Sequence, residues 1–348
     1  MLAWRFAPKI PEPILREVAN IAADIAWLKR GKAIRRLESN YAKVRPELTE
    51  KQIRQLSRKG MRSYLRYFRE AFTLPAVTAD QLAARVRAEN TDLVYDALAK
   101  YGSPVAALGH AGNWDLAGAW AAVHLVPVLT VAEKLKPEEI YQAFVGFRQS
   151  LGIEVLGLGD KGVFDKLVAG GKGGGRLIPL LADRDLTYRG VEVDLLGHKA
   201  RVAAGPATVA LAANVPLLLA TIHYEKLHGD RRKAAGTPYG IVITFTQISQ
   251  PVIPQQVANA TQSADRAAAG GQACAEPQTV QDLTQAWVNK YGEFLKQHTE
   301  DWHMLQAVFV EDLDADKYAE TLRKANVADS EILRSSSLRP SPQNDTMV

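Results

Sequence analysis

A histidine and an aspartate with four residues between them, His110 and Asp115, lie in the run Leu-Gly-His-Ala-Gly-Asn-Trp-Asp-Leu at positions 108–116. The pair suits proton transfer. A carboxylate that holds one ring nitrogen as N–H leaves the other free to take a hydroxyl proton near neutral pH. The spacing puts Asp115 forward as that carboxylate; the plainer alternative is a histidine satisfied at a strand end, with Asp115 complementing a helix dipole. The elements that must position the pair are legible around it. Val105 to Leu108 is an apolar run that reads as a buried strand, and Asn113 is placed to cap a helix over Leu116–Val123. The imidazole then sits at the C-terminal mouth of a strand and the carboxylate in the first turn of a helix, the edge where ligands collect in open α/β sheets.

Three further segments accompany the pair: Phe147-Arg-Gln-Ser-Leu-Gly-Ile-Glu-Val-Leu156, Ala182-Asp-Arg-Asp-Leu186 with Gly190-Val-Glu-Val-Asp-Leu-Leu-Gly197, and Ala203-Ala-Gly-Pro-Ala207. With these motifs in this order the chain resembles the bacterial lysophospholipid acyltransferase superfamily, in the branch that includes the lipid A acyltransferases, and within it the phosphatidylinositol mannoside acyltransferases. The resemblance runs from about Leu37 to Leu313 and takes in Ser63-Tyr-Leu-Arg-Tyr-Phe68 and Asp301-Trp-His-Met-Leu-Gln306. It implies transfer of a long-chain acyl group from acyl-CoA, a co-substrate, to a mannose hydroxyl of a mannosylated phosphatidylinositol, with no cofactor and no metal. It also implies roles: His110 as general base, Asp115 orienting it, and Asp183 at a second acidic position of the site. Arg148 would meet a donor or acceptor phosphate, which its forked guanidinium matches. Arg184, Trp114 and Asn113 fall on the substrate side, Trp114 as a groove wall, while Trp302 and His303 are expected to be structural.

Composition narrows the alternatives. The chain has 348 residues, enough for a large core, and a single cysteine, Cys274, which excludes an internal disulfide framework. The net charge of +5 is uneven: through Glu70 there are 17 Lys and Arg against 7 Asp and Glu. A basic amino-terminal region fits an anionic membrane or nucleic acid, and the absence of a zinc-finger spacing, an RNP-like motif or a basic zipper favours the membrane. No stretch approaches the ~18 apolar residues of a spanning helix. The expected location is the cytoplasmic face of the membrane, peripherally attached.

The remaining chain is expected to fold as one α/β domain over 1–328. It has a helical amino-terminal part (1–100), a catalytic core (101–313), a loose Ala/Gln/Gly-rich insertion (254–280) and a disordered tail from 329. Ile14, Val18, Ile21, Ile25 and Leu28 recur with helical spacing. Thr49 and Gln52 form a capping-box pattern ahead of a second helix, on which Arg54, Arg58, Arg62 and Arg66 make a stripe, either solvated or lipid-facing. From Val105 onward, strand and helix signals alternate, which predicts a mostly parallel sheet with helices on both faces. Gly157-x-Gly159-x-x-Gly162 matches a dinucleotide fingerprint but lies in mid-sheet with no acidic residue to complete it, and reads better as a turn. No Gly-x-Ser-x-Gly elbow is present, so a serine acyl-enzyme has no support. The rival functions are a lipid A precursor acyltransferase fed by acyl-carrier protein and a non-catalytic lipid-binding protein on the same fold.

Overall fold

The computed structural model describes residues 6–134, 138–251 and 279–324. The expected insertion with Cys274 and the expected tail lie outside the described residues, except for the last residues at the insertion's C-terminal end. Strand β2 (Val105–Leu108) is an inner strand of a five-stranded sheet, between β8 (Leu217–Lys226) and β5 (Ile178–Leu181). Beyond β8 the sheet continues through β9 (Tyr239–Ser249) to the edge strand β1 (Val86–Glu89), in the order β1-β9-β8-β2-β5. All neighbours run parallel except β8 and β9. Strands β3 (Val128–Ala132) and β4 (Ile153–Gly157) pair in parallel and extend the layer through a bridge from Val128 to Leu177. A separate antiparallel hairpin joins β6 (Val191–Leu195) and β7 (His198–Val202).

Alternation along β2 shows why helices must cover both faces. Successive strand side chains point to opposite sides, and here Val105 and Ala107 enter one apolar cluster while Ala106 and Leu108 enter another. A strand buried on both faces carries a continuous apolar run, as this one does. Helices α1 (Glu12–Lys29), α2 (Lys32–Val44) and α3 (Glu50–Thr73) form the amino-terminal part, and α3 opens with the Thr49–Gln52 capping box. Helices α4 (Ala79–Arg85) and α5 (Asp92–Lys100) flank β1, which is a strand inside the part expected to be wholly helical. Its four residues sit parallel to β9 and owe their conformation to that pairing. Beyond β2 follow α6 (Trp114–His124), α7 (Glu138–Ser150), α8 (Val163–Gly173), α9 (Gly205–Ala213), α10 (Gly229–Ala235) and α11 (Val280–Gln297). The glycine run after β4 is a turn, with Gly159 and Gly162 at positive φ and Gly162 at the start of α8.

Three arginines of the α3 stripe are paired rather than free, although Arg58 and Arg62 keep 46% and 40% of their side-chain surface accessible. Helix α1 lies across the stripe: Arg54 stacks on Trp27 with its guanidinium 3.8 Å from the ring and binds Glu38, and Arg58 and Arg62 both fork onto Asp24. Two guanidiniums on one carboxylate hold Asp24 well below its usual pKa. Among the described residues the opposite face of α1 is left uncovered. Ile14, Val18, Ile21, Ile25 and Leu28 keep between 48% and 67% of their surface accessible. Among the described residues no helix is long and apolar enough to cross a membrane.

Candidate active site

The register of the sheet decides which carboxylate meets His110. Strands β2 and β5 pair with Val105 opposite Ile178 and Leu108 opposite Leu181. Carried two residues past both strands, that register brings His110 opposite Asp183. The contact is direct: His110 Nδ1 lies 2.6 Å from Asp183 Oδ1, and the His110 backbone N–H donates to Oδ2 at 2.9 Å. Asp183 Oδ2 also accepts from Trp302 Nε1 at 3.0 Å and from the Tyr291 hydroxyl of α11 at 3.3 Å.

Asp183 is 2% exposed. Burial opposes its charge, but the His110 imidazole and the donors around it outweigh that and keep its pKa below the usual carboxylate value. Burial likewise opposes a charged imidazolium, and the Asp183 carboxylate more than offsets it, so the His110 pKa is raised above 6.5. An ionised Asp183 assigns the proton to Nδ1, and Nε2 is then the basic nitrogen. The His110 side chain keeps 39% of its surface accessible, and Nε2 has no hydrogen-bond partner among the described residues.

The expectation that Asp115 orients His110 is therefore corrected. From the first turn of α6 the Asp115 carboxylate turns away from the strand end and accepts from Arg148 Nε and the Tyr67 hydroxyl, each at 2.8 Å. It is 2% exposed and links α3, α6 and α7. Asn113 is corrected as a substrate group: it is fully buried, its Oδ1 caps α6 by accepting from Leu116 N–H, and its Nδ2 donates to Glu70. With both amide ends used, no polar atom is left for a substrate. Arg148 is largely buried against Asp115, which raises its pKa over the opposing effect of burial. Arg184 donates through Nε to the Ala307 carbonyl, and Trp114 packs edge-on to the His110 ring with centroids 5.3 Å apart. Glu192 and Asp194 do not join the site: Glu192 pairs with Lys199 and Tyr318, and Asp194 closes the β6–β7 turn.

Trp302 and His303 do more than the sequence reading allowed. Residues 301–303 lie as a strap along 110–112: Gly112 N–H donates to Asp301 O, Ala111 bridges to Trp302, and His303 N–H donates to His110 O at 2.8 Å. Trp302 thereby both holds the His110 loop and donates to Asp183. Gly109 makes the crossing possible, since a Cβ there would sit 1.9 Å from the Tyr291 hydroxyl. The indole and phenol donors carry no spacing signal, because they lie 119 and 108 residues from Asp183.

Ser63, His303 and Asp301 have the residue types of a catalytic triad without its arrangement. Ser63 donates to Asp301 Oδ1 at 2.6 Å, its oxygen lies 3.1 Å from His303 Nε2, and His303 Nδ1 is buried with no partner. Among the described residues no carboxylate orients that histidine, and its burial depresses its pKa to about 3. An apolar groove lies between α6 and the sheet, lined by Leu108, Trp114, Gly118, Val131, Ile153 and Phe245, with Asp115 and Arg148 also in its wall.

The chain belongs to the bacterial lipid A biosynthesis acyltransferase family, whose model matches residues 1–310. It is an acyltransferase. A phosphatidylinositol mannoside acyltransferase of Mycolicibacterium smegmatis is 32% identical over 318 residues, covering 91% of this chain and 92% of that protein. A protein of the same name from Mycobacterium tuberculosis strain H37Rv is 34% identical over 265 residues, covering 75% of this chain and 72% of its own length.

Proposed function

We propose that this acyltransferase moves a long-chain acyl group from acyl-CoA to a mannose hydroxyl of a phosphatidylinositol mannoside, by direct transfer at a membrane surface. The observation that carries the reading is the His110–Asp183 pair: Nδ1 is fixed by a buried carboxylate while Nε2, beside Trp114 in the wall of the apolar groove, has no partner among the described residues. The acceptor hydroxyl attacks the thioester carbonyl carbon as its proton passes to His110 Nε2. A C–O bond forms, the tetrahedral intermediate collapses with loss of the C–S bond, and the imidazolium returns the proton to the departing thiolate. Asp183 stabilises the imidazolium without taking its proton, the part an aspartate plays in a serine triad. No serine is needed, and the Ser63 hydroxyl is engaged with Asp301.

The apolar lining of the groove matches the chemistry of an acyl chain, and the names of the relatives support the acceptor class. The uncovered face of α1 supports attachment to lipid: five aliphatic side chains, each roughly half exposed, would gain on the order of 1 kcal/mol apiece on insertion. Palmitoyl-CoA cleavage, followed with and without purified mannosylated phosphatidylinositol, tests the reading. His110→Ala should lower transfer by about 10²–10⁴-fold with an unchanged circular dichroism spectrum. Near-normal turnover in that variant, or a stable acyl-protein adduct in intact mass, would refute it.

A further inference from the structure

A second cavity, of about 350 Å³, opens between α1, α3 and the segment from the end of β8 to the start of β9. It shares no lining residue with the acyl groove. Its walls carry six cations, Arg16, Arg62, Arg66, Arg69, Lys226 and Arg232, against one carboxylate, Glu17. Three of the six are neutralised locally: Arg16 by Glu12, Arg62 by Asp24, and Arg69 by Glu12 and Glu70. Arg66, Lys226 and Arg232 have no carboxylate within ion-pair distance among the described residues.

Arg66 is the informative member. Its guanidinium lies over two tyrosine rings, 3.8 Å from the Tyr239 centroid and 4.6 Å from that of Tyr224. Stacking fixes the plane of the fork and leaves the N–H edge without a hydrogen-bond acceptor among the described residues. A guanidinium ordered in advance, with its donors open, is the arrangement that binds a phosphate through two parallel hydrogen bonds. The volume falls in the range of small-molecule sites.

We propose that this cavity is a phosphate-binding site, taking either the headgroup phosphate of a phospholipid or the diphosphate of a CoA-type acyl carrier. The inference goes beyond the proposed reaction and does not depend on His110. The cavity is nonetheless joined to the reaction centre. Tyr67, next to Arg66 on α3, binds Asp115, and the backbone of Tyr224 donates to Asp301 in the strap that holds the His110 loop.

Calorimetric titration of the full-length protein with inorganic pyrophosphate at low ionic strength tests the site. Binding should be measurable, should weaken as salt is raised, and should fall by about tenfold or more in Arg66→Gln, the loss expected for a charge-assisted hydrogen bond. The Lys226→Gln/Arg232→Gln double variant, at exposed positions that leave the tyrosine stack intact, should show a comparable loss. Parallel titrations with coenzyme A and with glycerophosphoinositol separate the two sources, the tighter ligand naming the one that the cavity serves. No binding of pyrophosphate, or equal affinity in the wild type and both variants, overturns the proposal. Because no acyl transfer is read, that result would leave the reaction assigned to His110 standing, and His110→Ala should leave the pyrophosphate titration unchanged.

Discussion

Replacing Asp183 by asparagine should remove the base without removing the histidine. The wild-type carboxylate receives one donor at Oδ1, from His110 Nδ1, and three at Oδ2, from the His110 backbone, Tyr291 and Trp302. An asparagine has a single acceptor oxygen, and the side with more donors should claim it. The amide NH₂ then faces His110 Nδ1, which must turn acceptor and push the ring proton to Nε2. A ring protonated at Nε2 cannot accept a hydroxyl proton. The expected loss of turnover is therefore that of general-base catalysis, about 10²–10⁴-fold, rather than the roughly 10-fold expected from one weakened hydrogen bond to a charged group. Any residual activity should also have its acid limb shifted to lower pH, since the carboxylate that raises the His110 pKa is gone. The assay is kcat/KM for palmitoyl-CoA cleavage across pH, with mannosylated phosphatidylinositol as acceptor. Turnover within a few-fold of wild type with an unmoved acid limb would refute the assignment of Asp183, and a larger shift in Asp115→Asn would transfer the role to Asp115.

Three other outcomes follow from the same geometry. Asp115→Asn should lower the melting temperature and reduce turnover through loosening of Arg148 and Tyr67, while leaving the midpoint of the acid limb in place; a moved midpoint would contradict the separation of roles. Gly109→Ala should impair transfer by driving a methyl group into the Tyr291 hydroxyl and the Asp183 carboxylate, and wild-type kinetics in a folded variant would show that the strap has slack. Val18→Ser with Ile21→Ser should weaken sedimentation with vesicles whether salt is low or high, because the exposed face of α1 is apolar and most of the α3 arginine stripe is neutralised beneath it; binding that salt alone abolishes would favour an electrostatic attachment.

What the sequence disclosed and what it withheld divide along the range of the interactions. The strand at Val105–Leu108, the Asn113 cap, the Thr49 capping box and the apolar spacing on α1 are set by residues within a few positions of one another, and each is found where local pattern places it. His110 was legible as a candidate base for the same reason. Its partner was not, because the proximity of Asp115 in sequence says nothing about which way a first-turn side chain points. Asp183 reaches the ring through strand pairing across 73 residues, and an alternating strand–helix pattern predicts that strands pair without giving the register. The arginine stripe is decided in the same manner: the four-residue spacing on α3 gives one face, but Asp24 and Trp27 of another helix decide what that face meets. Short β1 was missed because four residues carry too little periodicity to register apart from their partner strand.

The pairing of a raised histidine with a lowered aspartate sets activity and stability against each other in pH. A histidine whose folded pKa exceeds 6.5 contributes stability that is fully present below 6.5 and is lost as pH rises through the folded value. An aspartate whose folded pKa lies below 3.8 contributes stability that is present above 3.8 and is lost as pH falls through its folded value. The ion pair is thus fully formed only between those limits. The base, however, works only when His110 is neutral, so transfer should rise with pH while the pair's contribution to stability declines. Melting temperatures of wild type and His110→Gln, compared from pH 5 to 9, should converge as pH rises, over the interval in which kcat/KM climbs. A difference that stays constant across that interval would mean that His110 does not titrate against Asp183, and the proton would have to be sought elsewhere.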